Sequence, residues 1–409
     1  MNILMLSATF PYPPTRGGTS VRTFNLLKYL KEQGHQITLA TLRFGDVTDA
    51  EVAALEGWVD SLAVFPRLAD PAGNNALGKA QRLLNFAVEG TPPSVTSTRS
   101  PLMQAWVTEQ IESGNYDALT CEHCVNEAYV PTDARRHIPV VVVNIHSSVY
   151  GTCAHQLAAG TAEKPLRDRI NLPLLKRYEQ RYCQKFSHLV VTTTEDQKQM
   201  AELSGKENIS VIPNGVDLDA FHMRTSDPGG QSLVFIGAMD NLPNIDAVTF
   251  LAKDIFPLVR AQYPGATLSL VGARPTPAVQ SLGDINGVIV TGKVPEMMPY
   301  LHRATVCVVP MRTGYGIKNK TLEAMAAGVP VVASDRGLEG LAVDGNSVPL
   351  RALRASTPQE YAAAIGRLFD SADLRQTLSS NGRELIEQEY TWAIAGKQYE
   401  SVLQSAVTA

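Results

Sequence analysis

A chain of 409 residues, 44% of them hydrophobic, can bury more than one core, so two domains are expected. Its formal net charge of −4 lacks the strongly basic footprint of a nucleic-acid binder. Five cysteines (Cys121, Cys124, Cys153, Cys183 and Cys307) are too few and too scattered for a disulfide framework and suit a reducing compartment.

The apolar run 3–7 has no positive charge before it, and the first basic residue is Arg16. It reads as a β-strand rather than a signal peptide. Gly17 and Gly18 follow on a loop. Residues 20–33 then show helical spacing through Val21, Phe24, Leu27 and Leu30, with Gly34 as the stop. Further strands are predicted over 36–42, 118–121, 139–145, 188–193, 210–212, 233–236, 267–271, 288–291, 306–309 and 329–333. Short apolar runs separated by helices indicate parallel sheets in doubly wound α/β domains. There are too many strands for one such sheet. The polar, Gly- and Pro-containing stretch 225–231 places the division, giving domains 1–226 and 227–391.

Cys121-Glu-His-Cys124 pairs a CxxC with a histidine, but a zinc site would want a second ligand pair, and none stands at similar spacing. No metal is expected. Segment 164–188 carries seven basic residues against Asp168 and Glu179. That can be a solvated helix face or a surface for an anionic membrane or phosphate-bearing acceptor. No run of about 18 apolar residues is present. The expected location is cytoplasmic, with peripheral contact at the inner face of the membrane left open through 164–188.

The most informative stretch is 311–334, MRTGYGIKNKTLEAMAAGVPVVAS. Glycines of the Gly-Tyr-Gly loop expose backbone N–H groups, a helix opening at Leu322 adds its positive end, and Lys318 and Lys320 add full charges. That is the chemistry of a phosphate site. Glu323, in the expected first turn, would repel an anion but can accept from the hydroxyls of a ribose. Phosphate and ribose together point to a nucleotide. Several strand ends converge in sequence on similar loops: Gly17-Gly18, His146, Gly237, Gly272, Gly292 and Gly314 to Lys320. In doubly wound folds such positions line the ligand crevice, here expected between the two domains.

Four motifs carry a family resemblance over nearly the whole chain. They are Gly17-Gly18, the string VIPNGVD over 211–217 with Phe221, FIGAMDNLPNID over 235–246, and LEAMAAGVPVVA over 322–333. The chain resembles a family 4 glycosyltransferase of the GT-B architecture, in a variant branch with MDxxPNxDA and KxxE motifs. The resemblance implies two Rossmann-like domains and metal-independent, retaining transfer of a sugar from a nucleotide-diphosphate donor to a hydroxyl acceptor. Polysaccharide or glycoconjugate synthesis is the setting it implies, with a glycan, lipid-linked or small-molecule acceptor. It also implies that the helix over 392–409 packs back on the first domain.

By the same resemblance, Glu323 grips the ribose, Gly17 and Gly18 approach the donor phosphates, and His146 lies beside the donor sugar. Gly292, Lys293 and Val294 touch the base. Gly237, Tyr315, Gly316, Ile317 and Lys318 complete the donor-binding set. Two departures stand out. Tyr315 replaces the first glutamate of the E-x7-E pattern, and Ala238 and Pro243 replace the usual arginine and lysine. Lys318 and Lys320 are the natural substitute cations, with His146, Lys320 and Glu323 the expected catalytic set. A nucleotide-sugar-binding protein without turnover, or a sugar-nucleotide 2-epimerase, are the alternatives.

Overall fold

Each of the predicted strands forms in the computed structural model, which describes residues 1–15, 17–67, 86, 88, 90–96 and 99–405. They divide between two compact units, Met1–Pro213 with Ala395–Ala409, and Asn214–Ile394.

The first unit holds a parallel sheet of β1 (Asn2–Ser7), β2 (Gln36–Arg43), β3 (Ser61–Pro66), β4 (Ala118–Glu122), β5 (Val140–Asn144), β6 (His188–Val191) and β7 (Ile209–Val211). Their spatial order is β3-β2-β1-β4-β5-β6-β7. Ile3, Leu4, Met5 and Leu6 have no exposed surface, so both faces of β1 are covered, as continuous apolar runs require. Helices α1 (Gly18–Glu32), α2 (Val149–Ala158) and α3 (Pro165–Cys183) belong to this unit. The carboxylate of Glu179, on α3, caps α2: it accepts from Ser148 Oγ at 2.6 Å and Val149 N at 2.7 Å. Burial pushes that carboxyl up to about 7, against the pull of those hydrogen bonds.

The second unit repeats the pattern with β8 (Ser232–Ile236), β9 (Thr267–Val271), β10 (Val288–Gly292), β11 (Val306–Val309), β12 (Val331–Ala333) and β13 (Leu353–Arg354). All are parallel, in the order β10-β9-β8-β11-β12-β13. β3 and β13 were not predicted. β3 carries the short apolar run 62–65 but is half-exposed along most of its length, and β13 is only two residues long.

The division of the chain falls earlier than the expected 226/227 boundary. Val216 N donates to Tyr390 O at 2.8 Å, and Arg224 N donates to Ala327 O at 3.1 Å. Those contacts tie 214–226 into the second unit. The Gly- and Pro-containing stretch is an internal loop there, where Gly229 O accepts from Thr305 Oγ1 at 2.5 Å. At the other end, helix α5 (Trp392–Ser405) starts in the second unit and passes into the first from Ala395 onward. The helix expected over 392–409 is followed to Ser405, and 406–409 lie outside the described residues. α5 packs closely in the first unit, where a Cβ on Gly396 would lie 2.2 Å from the Tyr29 ring.

Candidate functional site

In the second unit the strand order reverses between β8 and β11. The carboxyl ends beside such a reversal form the usual ligand crevice of an open parallel sheet. Gly237 follows β8 and Gly272 follows β9. They touch so closely that a Cβ on Gly272 would lie 1.7 Å from Gly237 O. Gly272→Ala must therefore displace backbone. It is expected to destabilise the second unit by about 2 kcal/mol or more, in the range of overpacked cores, read as a lowered denaturation midpoint.

Asn244 organises this edge. Its Nδ2 donates to Ala238 O at 2.8 Å, and its Oδ1 accepts from Lys320 Nζ at 2.8 Å. Lys320 Nζ also lies 5.2 Å from the centre of the Phe235 ring, within cation–π range. A Cβ on Gly237 would meet the Asn244 amide at 2.9 Å and Lys320 Cε at 3.3 Å, so this glycine leaves room for both.

Helix α4 spans Asn319–Ala326 and so opens before the expected Leu322. The Lys318 carbonyl already accepts from Thr321 N at 2.9 Å and Leu322 N at 3.4 Å. Thr321 Oγ1 donates to Gly337 O at 2.7 Å, which anchors the turn. Lys320 consequently sits in the first turn and Glu323 in the second, a correction to the first-turn placement of Glu323.

Lys318 stands at the N-cap and is buried. Its Nζ pairs with Glu339 Oε2 at 3.1 Å and also donates to Gly316 O. Arg336 shares the Glu339 carboxylate. Part of the Lys318 charge is thus answered within the fold, whereas the hydrogen bond of Lys320 goes to a neutral amide. Burial, reinforced by Lys318, pulls the Lys320 ammonium down to about 8, with Glu323 opposing. Burial pushes the Glu323 carboxyl up to about 7, opposed by Lys320. With Lys318 paired to Glu339, Lys320 is the cation that the helix macrodipole disfavours at this edge.

The other donor-side positions are distributed as follows. Gly316 is left-handed at φ +70°, and Tyr315 is half-buried beside it. Ile317 is buried in the apolar core, so only its backbone can serve a ligand. Gly292 ends β10 with φ +68°, Lys293 is exposed, and Val294 packs against the core. Ala238 and Pro243 flank the Asn244 contact and bring no charge.

In the first unit the order reverses between β1 and β4. Gly17 caps α1, and a Cβ at Gly17 or Gly18 would meet open space. His146 follows β5. Its Nε2 is 3.8 Å from Glu122 Oε2, outside hydrogen-bond distance, and its ring stands edge-on to His123 at 5.3 Å. Burial, aided by Arg22 and opposed by Glu122, holds the His146 imidazole below its ordinary range. Burial first, and His146 second, bring His123 down to about 3. Both rings are therefore neutral near pH 7.

A buried network not anticipated from sequence lies under His146. Arg22 Nε donates to Asn144 Oδ1 at 3.0 Å, and its Nη groups donate to Ile212 O at 2.9 Å and Pro213 O at 3.1 Å. Asn144 Nδ2 donates to Glu122 Oε2 at 3.0 Å, and Tyr399 on α5 donates to Glu122 Oε1 at 2.7 Å. One signal was available. Arg22 shares a helix face with Leu26 and Leu30, so a charge was due to be buried there. The CEHC motif supplies Glu122 to this network, and the backbone N–H of His123 donates to Asn144 O at 2.9 Å. Cys121 and Cys124 are buried free thiols, and Cys124 Sγ donates to Ser147 O at 3.2 Å.

Comparison with known proteins agrees with this architecture. The family model described as Glycosyltransferase Family 4 matches residues 16–220, and that described as Glycosyl transferases group 1 matches 230–371. The D-inositol 3-phosphate glycosyltransferase of Jonesia denitrificans is 26% identical over 272 residues, covering 58% of this chain and 59% of that protein. The chain spans less than two thirds of the length of the first curated relatives it matches. Among solved structures, the sucrose-phosphate synthase of Thermosynechococcus elongatus superposes with a TM-score of 0.73 at 18% identity, covering 100% of this chain and 99% of that one. The Anabaena protein HepE in complex with UDP and glucose superposes at 0.67 with 16% identity, covering 99% and 100%. At these identities the structural likeness establishes the GT-B fold.

Proposed function

The chain belongs to glycosyltransferase family 4, and from that premise we propose that it transfers a sugar, with retention, from a nucleotide-diphosphate sugar to a hydroxyl acceptor. The observation that carries this reading is the N-terminus of α4: Lys320 stands in the first turn, where a helix dipole disfavours a cation unless an anion is bound, and its hydrogen bond goes to the neutral Asn244 amide. HepE, a structural neighbour, is known with UDP and glucose.

In the proposed reaction the bond from the anomeric carbon to the diphosphate breaks while the acceptor oxygen bonds the same carbon from the same face. The acceptor proton passes to the departing phosphate, so no side-chain nucleophile and no metal are needed. Lys320 and the α4 amides stabilise the charge that develops on the diphosphate. Lys320 compensates for the uncharged Ala238, whose carbonyl shares the Asn244 side chain with it. Lys318, held by Glu339, sets the electrostatic background and the path of the loop. Glu323 accepts from the ribose hydroxyls. Neutral His146 can donate one hydrogen bond and accept another at a sugar hydroxyl. Tyr315 cannot act as the carboxylate that it replaces.

The test is thermal stabilisation by a panel of nucleotide sugars, followed by release of nucleotide diphosphate from each hit without acceptor. A selective shift with slow release to water is expected, and it would name the donor. Binding without turnover under any acceptor would leave a nucleotide-sugar-binding protein instead.

A further inference from the structure

We propose that the outward face of α3 is a docking surface for an anionic phospholipid bilayer. Seven basic residues in a segment do not argue this by themselves, because acids on the same helix could neutralise them. The fold removes that objection. Asp168 and Glu179, the two acids of α3, both face inward and are buried. Asp168 is paired with Arg167 at 2.7 Å, and Glu179 caps α2. The outward surface of the helix therefore carries cations alone. Arg169, Lys176 and Arg177 are exposed and have no hydrogen bond or ion pair among the described residues. Arg181, in contrast, is engaged with Gly90 O at 3.0 Å and Thr91 Oγ1 at 3.1 Å. One exposed acid, Glu163, precedes the helix.

Apolar side chains complete the pattern. Leu166 is 77% exposed and Ile170 is 63% exposed. Their spacing of four residues sets them one above the other, and Pro173 and Arg177 continue the stripe at helical intervals. Large apolar side chains held in water at the centre of a basic face form an interfacial surface: the apolar pair enters the headgroup boundary and the cations meet anionic lipid. No described helix is long and apolar enough to cross a membrane, so the contact is peripheral. Neither half suffices alone, since two apolar side chains bury little area and exposed cations are screened by salt.

Full-length protein would be sedimented with vesicles of neutral phosphatidylcholine and with vesicles containing about 30% phosphatidylglycerol, at about 0.1 M salt, where screening is moderate. Binding is expected on the anionic vesicles, at least about fivefold above the neutral ones. The double variants Leu166→Ser/Ile170→Ser and Arg169→Glu/Arg177→Glu should each lower it by a similar factor, with thermal midpoints unchanged because these side chains are exposed. Equal binding to both vesicle types, no binding to either, or full binding by folded variants would overturn the assignment. The assay needs no donor and no turnover, so its failure is separate from any failure of the glycosyltransferase reading.

Discussion

Lys320→Ala is expected to lower kcat about 100-fold or more while changing donor affinity only a few-fold, as happens when a group stabilises charge that develops in the transition state. The reason lies in the geometry. Lys320 Nζ has a neutral hydrogen-bond partner, Asn244 Oδ1 at 2.8 Å, and stands in the first turn of α4. Its full charge is available to a leaving diphosphate. Steady-state kinetics with an identified donor and acceptor check the split; equal, small losses in kcat and affinity would remove Lys320 from the leaving-group role. The pH dependence gives a second reading. The Lys320 ammonium is pulled down to about 8. Below that pH the cation is present, and above it the site holds a neutral amine. kcat/KM of the free enzyme should therefore fall as pH rises through about 8, and Lys320→Arg should move that limb upward, since guanidinium stays charged.

Arg22→Ala is expected to be among the most destabilising single changes in the first unit. Arg22 is 1% exposed, and its guanidinium serves Asn144, Ile212 O and Pro213 O. Burial pulls even this guanidinium down to about 10, with Glu122 the leading charge that supports its ionised form. Truncation leaves the Asn144 amide oxygen and the Ile212 and Pro213 carbonyls without donors and removes the charge that acts on Glu122. Each buried acceptor left unsatisfied costs about 1–3 kcal/mol, so a total loss of about 3–5 kcal/mol is expected. For a unit of this size that is about 10 °C in thermal midpoint. Thermal unfolding of Arg22→Ala beside Tyr399→Phe measures it. The tyrosine variant removes a single hydroxyl donor to Glu122 and should cost about 1–2 kcal/mol. A loss below about 1 kcal/mol for Arg22→Ala would mean that water or a shifted side chain replaces the guanidinium.

The two chemical halves of the site were unequally legible. The α4 edge was largely readable because its glycines, lysines and glutamate lie within one short stretch. The roles of the two lysines were not separable there. The partner of Lys318 is Glu339, 21 residues on, and that of Lys320 is Asn244, 76 residues before. Only chain folding brings them together. The helix start was misplaced for a related reason: its anchor is the Gly337 carbonyl, a tertiary partner of Thr321. The boundary near 225–231 was misplaced because turn-forming composition marks any loop, and this loop lies inside the second unit.

By itself the sequence determined most of the strands, the two parallel sheets, the family and the run of glycines, lysines and glutamate over 311–334. Those follow from local apolar periodicity and from contiguous motifs, which are properties of neighbouring residues. The tertiary structure decided which lysine keeps an uncommitted charge, which acids turn inward on α3, and that Arg22, Asn144, Glu122 and Tyr399 form one network beneath His146. Tyr399 lies 277 residues after Glu122, and no periodicity links them. Such pairings arise because a buried charge must find partners wherever the packed chain supplies them.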